Sequence, residues 1–361
     1  MKAPRKKRSA KVLALTRPEV TDVLRAYHLG RLLFLRPAAG TASPAVIAVT
    51  DRGSFFVKRR NPRYCSPGQL SYDHSLLRHL SRAGLPVYPA LRTLSGSRWL
   101  ERGGAVYEVF PLASGRPPAP GNPAQVEAAG RLLATLHALG PSLKLPGGKI
   151  LPRLHDPQNI LRGLHWAANQ ALTAPQRQDL ERCIAVAEGI ARNLPDDAYW
   201  ALPQTVIHGD YHPLNLLYEG DQVTGLFDFD WSGPGPRMVD VADGILFFCG
   251  TRTAPLQAGD IVALTQPFTL DRGLIAAFGR GYATQVRPQP AELQALPELM
   301  RARWLFCRVD AMQRKVAPEH KLQYLLDGLT GPLEEIDAVE QWLASGEWLA
   351  EATGSGSEGT A

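Results

Sequence analysis

From Thr205 to Trp231 the chain reads Thr-Val-Ile-His-Gly-Asp-Tyr-His-Pro-Leu-Asn-Leu-Leu-Tyr-Glu-Gly-Asp-Gln-Val-Thr-Gly-Leu-Phe-Asp-Phe-Asp-Trp. Leu214–Tyr218 and Val223–Phe229 are apolar segments on either side of the turn Glu219-Gly220-Asp221, which is the pattern of a β-hairpin. Folding about that turn brings Asn215 and Asp228 to the same open end. Asp210 lies just upstream of the first strand, at that end too. Strand alternation puts Asp228 and Asp230 on one face and Phe227 and Phe229 on the other. Several oxygen ligands therefore converge at one hairpin mouth. Carboxylates and an amide suit a hard divalent cation, Mg2+ above all, which takes few protein ligands and keeps phosphate oxygens and waters.

Upstream of this stretch, Leu29 to Arg60 is strand-like: Val46–Thr50 and Phe55–Lys58 flank the turn Asp51-Arg52-Gly53-Ser54 as a second hairpin. A helix follows, capped by Ser66 with Pro67 at its first position, carrying Leu70, Leu76, Leu77 and Leu80 as an apolar stripe and ended by Gly84 and Pro86. Short strands are expected around Ala90–Leu94 and Ala105–Phe110. The Pro/Gly-rich run 114–123 is a natural lobe boundary. Beyond it Asn122 caps a helix that starts at Pro123, with Gln125 placed for a capping box. Further helices are expected at about 175–193, 270–284, 291–313 and 318–346, around a dense non-helical stretch at 205–250. The organisation is α+β: a small strand-rich lobe over 17–113 and a larger, mainly helical lobe over 114–350, between a basic tail (1–16) and a polar tail (351–361), both expected to be disordered.

His208-Gly209-Asp210-x-x-x-x-Asn215 followed by Asp228-Phe229-Asp230 resembles the aminoglycoside phosphotransferase/choline kinase superfamily, which includes homoserine kinase-like and spore-coat-kinase-like proteins. The likeness extends from about Leu29 to Val316. Gly40-Thr41-Ala42-Ser43 resembles the short nucleotide loop and Phe56-Val57-Lys58 the strand lysine. Tyr72 to Leu77 resembles the helix that supplies the lysine's acid, here Asp73 in place of the usual Glu. Tyr107-Glu108-Val109-Phe110 resembles the hinge, and Gly130 to His137 the helix that follows it. The resemblance implies a protein-kinase-like two-lobe fold with a small antiparallel β-sheet lobe and a larger helical lobe. It implies ATP and Mg2+ as cofactors and a phosphotransferase acting on a small-molecule alcohol: an amino-alcohol, an amino acid or a sugar. Asp210 would accept or orient the hydroxyl proton, and Asn215 and Asp228 would hold the metal. Lys58, oriented by Asp73, would hold phosphates, with Gly40, Thr41, Glu108 and Phe110 also on the nucleotide. His208 and Gly209 would shape the loop, and Asp240 would hydrogen-bond it from the next helix. Asp230 has no assigned role.

Other readings of the same residues are weaker. His208, Asp210 and His212 would share a face of an extended chain, as in a two-metal phosphoesterase, but that needs an upstream Asp-x-His, and His155-Asp156 has the wrong order and spacing. The i,i+4 histidines are interrupted by Gly209 and Pro213, against a zinc-binding helix; His212 reads as packing beside Pro213. A protein Ser/Thr kinase would show His-Arg-Asp and an activation segment, whereas only about ten residues separate Asp228 from Asp240. A non-catalytic nucleotide-binding scaffold has no physical reason to keep Lys58, Asp210, Asn215 and Asp228 together. Arg301, Arg303, Arg308 and Arg314 read as a helix face, one of which could reach an anionic substrate.

The chain has 361 residues, 40 Lys+Arg and 34 Asp+Glu. Lys2, Arg5, Lys6, Lys7, Arg8 and Lys11 alone account for the net charge of +6, so the remaining residues sum to zero. A basic pI therefore does not make the folded body a nucleic-acid binder. No apolar run reaches the ~18 residues of a membrane helix, and no secretory leader is evident. Cys65, Cys183, Cys249 and Cys307 are widely spaced, as in a cytoplasmic protein without a disulfide framework. A nucleotide and a small-molecule acceptor are the expected partners.

Overall fold

The computed structural model describes residues 15–38, 43–254, 256 and 261–350; Gly40, Thr41, the basic residues up to Lys11 and the polar tail 351–361 lie outside them. The chain divides into two units: residues 1–81 with 87–113 and 145–148, and residues 82–86 with 114–144 and 149–361.

The first unit opens with α1 (Arg17–Ala26), which the sequence reading did not anticipate. Thr16 accepts from the Glu19 amide while Glu19 accepts from the Thr16 amide, a reciprocal capping box. Leu15 is buried in the core, so the packed unit extends ahead of residue 17. The strands β1 (Leu32–Pro37), β2 (Ala45–Thr50), β3 (Gly53–Arg59), β4 (Leu100–Arg102) and β5 (Ala105–Pro111) form an antiparallel sheet in the order β1-β2-β3-β5-β4. Between β3 and β4 runs α2 (Pro67–Arg82), where Ser66 and Gln69 exchange cap bonds and Leu70, Leu76, Leu77 and Leu80 are buried. Val46, Ala48, Val57 and Val109 fill the core beneath the sheet with Val20, Val23 and Leu24 of α1. The expected strand at Ala90–Leu94 does not form. Leu91 gives a single bond to Val109, and the chain then turns at Gly96 with Thr93 bonding back to Ser97. The strand beside β5 is instead Leu100–Arg102.

The second unit is helical. It contains α3 (Pro123–Leu139), α4 (Pro157–Ala168), α5 (Ala174–Asn193) and α6 (Asp196–Ala201). These are followed by β6 (Gln204–Ile207), β7 (Leu216–Glu219), β8 (Gln222–Leu226), β9 (Gly233–Pro236), α7 (Met238–Phe248), β10 (Gly250–Arg252) and β11 (Phe268–Leu270). Then come α8 (Arg272–Ala283), α9 (Pro290–Arg314), α10 (Lys321–Leu326) and α11 (Gly331–Ser345). Three short antiparallel pairs, β6-β9, β7-β8 and β10-β11, interrupt the helices. Asn122 caps α3 as expected, but Gln125 does not complete a capping box: it accepts from Ala119 and donates to the Gly220 carbonyl, tying α3 to the tip of the β7-β8 hairpin. The expected helix over 318–346 is broken into α10 and α11, with Gly328 in the left-handed region at φ +62° between them. The stretch 205–250, expected to be non-helical, ends in α7. Every residue of that helix is buried, so its sequence shows no polar face for periodicity to reveal. No helix of the described residues is long and apolar enough to cross a membrane.

Candidate active site

The loop between β6 and β7 carries the first group of candidate side chains. Asp240, fully buried on α7, accepts from the His208 amide at 2.6 Å and from the Gly209 amide at 2.7 Å, and so grips the loop by two successive backbone N–H groups. His137 of α3 lies 3.1 Å from the same carboxylate, and its other ring nitrogen meets the Tyr282 hydroxyl at 2.9 Å. Gly209 sits at φ +78°, where a Cβ would lie 2.4 Å from the Trp231 carbonyl oxygen, so both conformation and space require glycine. His208 is buried and links its ring Nε2 to the Phe227 carbonyl at 2.8 Å. It joins the two sides of the hairpin mouth.

Asp210 follows on this loop. Its Oδ1 accepts from Arg303 of α9 at 2.9 Å and its Oδ2 lies 3.2 Å from His212 Nε2. Burial on its own would raise this carboxyl. His212, Arg303 and His208 override burial and hold it far below the ordinary carboxylate range. His212 therefore faces the carboxylate, a role beyond the packing expected of it. Asn215 is buried; its amide nitrogen donates to the Asp210 carbonyl at 2.9 Å, which leaves the side-chain oxygen as the end that could ligate an ion. The Phe227 amide donates to the Asn215 carbonyl at 3.0 Å, which sets Asp228 next to Asn215 across the hairpin mouth. The hairpin turns at Gly220-Asp221 as expected.

Beyond Leu226 the expected strand alternation stops. Asp228 adopts φ +60°, ψ +67°, rare for a residue with a side chain, and Phe229–Trp231 form one turn of 3-10 helix. Asp228 and Asp230 are thus not set on one face by a pleat. Lys149, buried and absent from the sequence reading, donates to the Phe229 and Asp230 carbonyls at 3.4 and 2.9 Å and ties down this turn. Among the described residues no group of three or more His, Cys, Asp or Glu side chains could hold a metal. The donor set here is one amide oxygen and one carboxylate, which fits an ion that takes most of its ligands from phosphates and water and fits poorly a metal that needs a full protein cage.

In the first unit Lys58 lies opposite Glu108 in the β3-β5 register. Glu108 is buried; its Oε1 lies 2.9 Å from both Arg60 Nη1 and His74 Nε2. Arg60 Nη2 meets Asp73 at 2.5 Å. Burial would raise the Glu108 carboxyl, but Arg60, His74 and Lys58 hold it down at about 2. Asp73 is therefore engaged by Arg60, a residue the sequence reading did not single out, and the Glu108 carboxylate is directed into this ion cluster. Phe110 packs 6.3 Å from Phe56.

The four arginines of α9 do not form one solvated face. Successive helix positions are rotated by ~100°, and each arginine finds its own partner. Arg301 pairs with Asp337 and Glu340, Arg303 with Asp210, Arg308 with the carbonyls of Thr265 and Asp327, and Arg314 with Asp310. Cavities of about 450 Å³ (at Arg78, Arg98 and Trp99) and 520 Å³ (at Asn193, Leu202 and Glu298) lie elsewhere, and Asp210, Asn215 and Asp228 line neither.

The profile of the phosphotransferase enzyme family matches residues 35–296. A homoserine kinase of Parvibaculum lavamentivorans is 28% identical over 296 residues, covering 78% of this chain and 81% of that protein. Among solved structures, an aminoglycoside phosphotransferase from Alicyclobacillus acidocaldarius superposes with a TM-score of 0.66 at 18% identity, covering 93% of this chain and 98% of that one. A microcompartment-associated aminopropanol kinase superposes with a TM-score of 0.65 at 16% identity, covering 90% and 98%.

Proposed function

The chain belongs to the phosphotransferase enzyme family and is an ATP-dependent small-molecule phosphotransferase; from that premise we propose that its acceptor is a short-chain compound bearing both a hydroxyl and a primary amine, with homoserine the first to test. Homoserine and aminopropanol, named for two similar proteins, share that pair of groups. That shared pair carries the reading, and Asp310 agrees with it. It lies two helical turns beyond Arg303 on the same side of α9; burial raises its half-buried carboxyl, which pairs with Arg314 at 2.8 Å and also feels the charges of Arg303 and Asp210. An acid on the helix that also carries Arg303 suits an ammonium group that takes the place of Arg314. One carboxylate, in place of the dense acidic cluster that a polycation would favour, suits a small amine.

In the reaction the acceptor oxygen attacks the γ-phosphorus of ATP. The new O–P bond forms, the bond to the β,γ-bridging oxygen breaks, and ADP leaves with that electron pair. The hydroxyl proton passes to Asp210, whose two oxygens each keep a lone pair beyond the contacts to Arg303 and His212. Asn215 and Asp228 would hold Mg2+, which when bound neutralises charge on the phosphates. Asp240 and Gly209 keep the loop in register, and Lys58 is the phosphate-binding cation proposed for the first unit. Four free cysteines support a reducing, cytoplasmic setting.

The test is a phosphate-transfer panel: homoserine, 1-amino-2-propanol, serine, ethanolamine, choline, an aminoglycoside and a generic protein substrate. Transfer to the short amino-alcohols and amino acids is expected. Transfer only to choline, to the aminoglycoside or to the protein would refute the acceptor class.

A further inference from the structure

Arg303 stands at the middle of α9 and is 8% exposed. Its three guanidinium nitrogens meet three separate parts of the second unit. Nη2 donates to Asp210 Oδ1 at 2.9 Å on the loop after β6. Nε lies 3.0 Å from Asp243 Oδ1 on α7, an ion pair by distance without hydrogen-bond alignment. Nη1 lies 3.0 Å from His155 Nε2, just ahead of α4. The guanidinium carbon sits 4.9 Å above the ring of Phe247, also on α7.

Each of these anchors is itself fixed. Asp243 is fully buried, and its Oδ2 accepts from the Tyr211 amide at 3.3 Å, one residue beyond Asp210. His155 is buried, packs 5.2 Å from Phe306 and takes φ +54°. A left-handed non-glycine backbone is strained and persists where the surroundings impose it. Burial, reinforced by the adjacent Arg303, keeps the imidazole neutral, so its Nε2 can accept from Nη1. A buried guanidinium is expensive to desolvate, and packing three elements together could be achieved with an apolar side chain at no such cost. What an apolar side chain could not do is hold a carboxylate at a fixed angle. Among its described partners, Asp210 is the one that the proposed reaction uses.

We propose that Arg303 is a positioning residue for phosphoryl transfer: anchored by Asp243, His155 and Phe247, its planar fork sets the rotamer of Asp210 so that the carboxylate meets the acceptor hydroxyl. His212 restrains the second oxygen, so the carboxylate is held from both sides. The effect belongs to the transfer step and not to nucleotide binding.

The experiment compares wild-type protein with Arg303→Lys and Arg303→Ala, measuring kcat, both KM values and thermal melting, with added guanidinium ion for the alanine variant. A lysine can meet one of the partners but cannot reproduce the fork. Misplacing a reacting group by about 1 Å can cost ~100-fold. Expected is a fall in kcat of about that size in both variants, with KM for ATP changed less than threefold. Guanidinium should restore a measurable part of kcat to Arg303→Ala but none to Arg303→Lys, whose side chain fills the space. Three outcomes would overturn the proposal: a folded Arg303→Lys with wild-type kcat, a loss confined to the acceptor KM, or a collapse of melting temperature in both variants that accounts for all lost activity. The inference rests on the phosphotransferase reading. A wild-type protein that transfers phosphate to nothing would overturn both, whereas active wild type with equally active variants overturns this one alone.

Discussion

At Asp210, burial pushes the carboxyl toward its neutral form, and the contacts to His212 and Arg303 push it the other way. These contacts win, so the group is ionised at neutral pH and presents a charged acceptor to the substrate hydroxyl. Asp210→Asn keeps the shape and removes that capacity. It is expected to lower kcat by about 10²–10⁴-fold while calorimetric affinity for ATP with Mg2+ stays within a few-fold. Asp228→Ala should differ: metal-dependent nucleotide affinity should fall along with rate. Equal nucleotide affinities in wild type and Asp228→Ala would remove Asp228 from the metal. Much of this site was legible in the sequence, because Asp210, Asn215 and Asp228 are set by the short spacing of one hairpin. Arg303, His155, Asp243 and Lys149 were not. They reach the site from 61 residues before Asp210 (Lys149) to 93 after it (Arg303), and nothing local marks a lysine or arginine as buried. The sequence marks Arg303 as one of four arginines, one of which could reach an anionic substrate; that it differs from Arg301 follows from helix rotation, but which neighbour it meets does not.

Among the elements, α3 and α8 pack at their closest through two glycines. A Cβ on Gly281 would lie 2.0 Å from the Glu127 carbonyl oxygen, and one on Gly130 would lie 2.1 Å from that of Phe278. Gly281→Ala must push the helices apart, and a loss of about 1–3 kcal/mol is expected by urea denaturation; an unchanged midpoint would contradict this packing. In the first unit, the cluster of Arg60, Asp73, Glu108 and His74 gives a pH signature. Glu108 falls from its ordinary 4.5 to about 2 in the folded protein. Its stabilising contribution is therefore complete above pH 4.5 and is lost as pH falls from 4.5 toward 2. Thermal melts across that window should drop more steeply for wild type than for Glu108→Gln, which should already be less stable at neutral pH because Arg60 loses a buried partner. Parallel curves would show that Glu108 is not held ionised. The helices with clear stripes, α2, α3, α5, α8 and α9, were legible to within a few residues. The wholly apolar α7 lacked a polar face to announce it, and the short α6 gave too few residues to show a period. Residues 90–94 looked like a strand by composition, but strand formation depends on continued pairing, and beside β5 this stretch gives one bond, Leu91 to Val109, before the chain turns, while β4 takes Ala105–Tyr107.

For the molecule as a whole, charge and activity should be separable. Lys2, Arg5, Lys6, Lys7, Arg8 and Lys11 supply the entire net charge. Removing residues 1–11 should bring the isoelectric point from 9.2 to near neutral and leave turnover intact; a large loss of turnover would make the arm part of the site. The antiparallel sheet, the helical second unit and the family were all legible from the order of motifs along the chain, since each hairpin and cap was encoded locally. The acceptor was less so, because the α9 side chains proposed to meet it come to the loop after β6 only in the folded unit. The most direct test of the whole account is steady-state transfer of the γ-phosphate of ATP to homoserine by the wild-type protein and by Asp210→Asn. The account predicts Mg2+-dependent formation of ADP and phosphohomoserine in equal amounts by the wild type, reduced at least a hundredfold in the variant. Wild-type activity that survives unchanged in Asp210→Asn would contradict it.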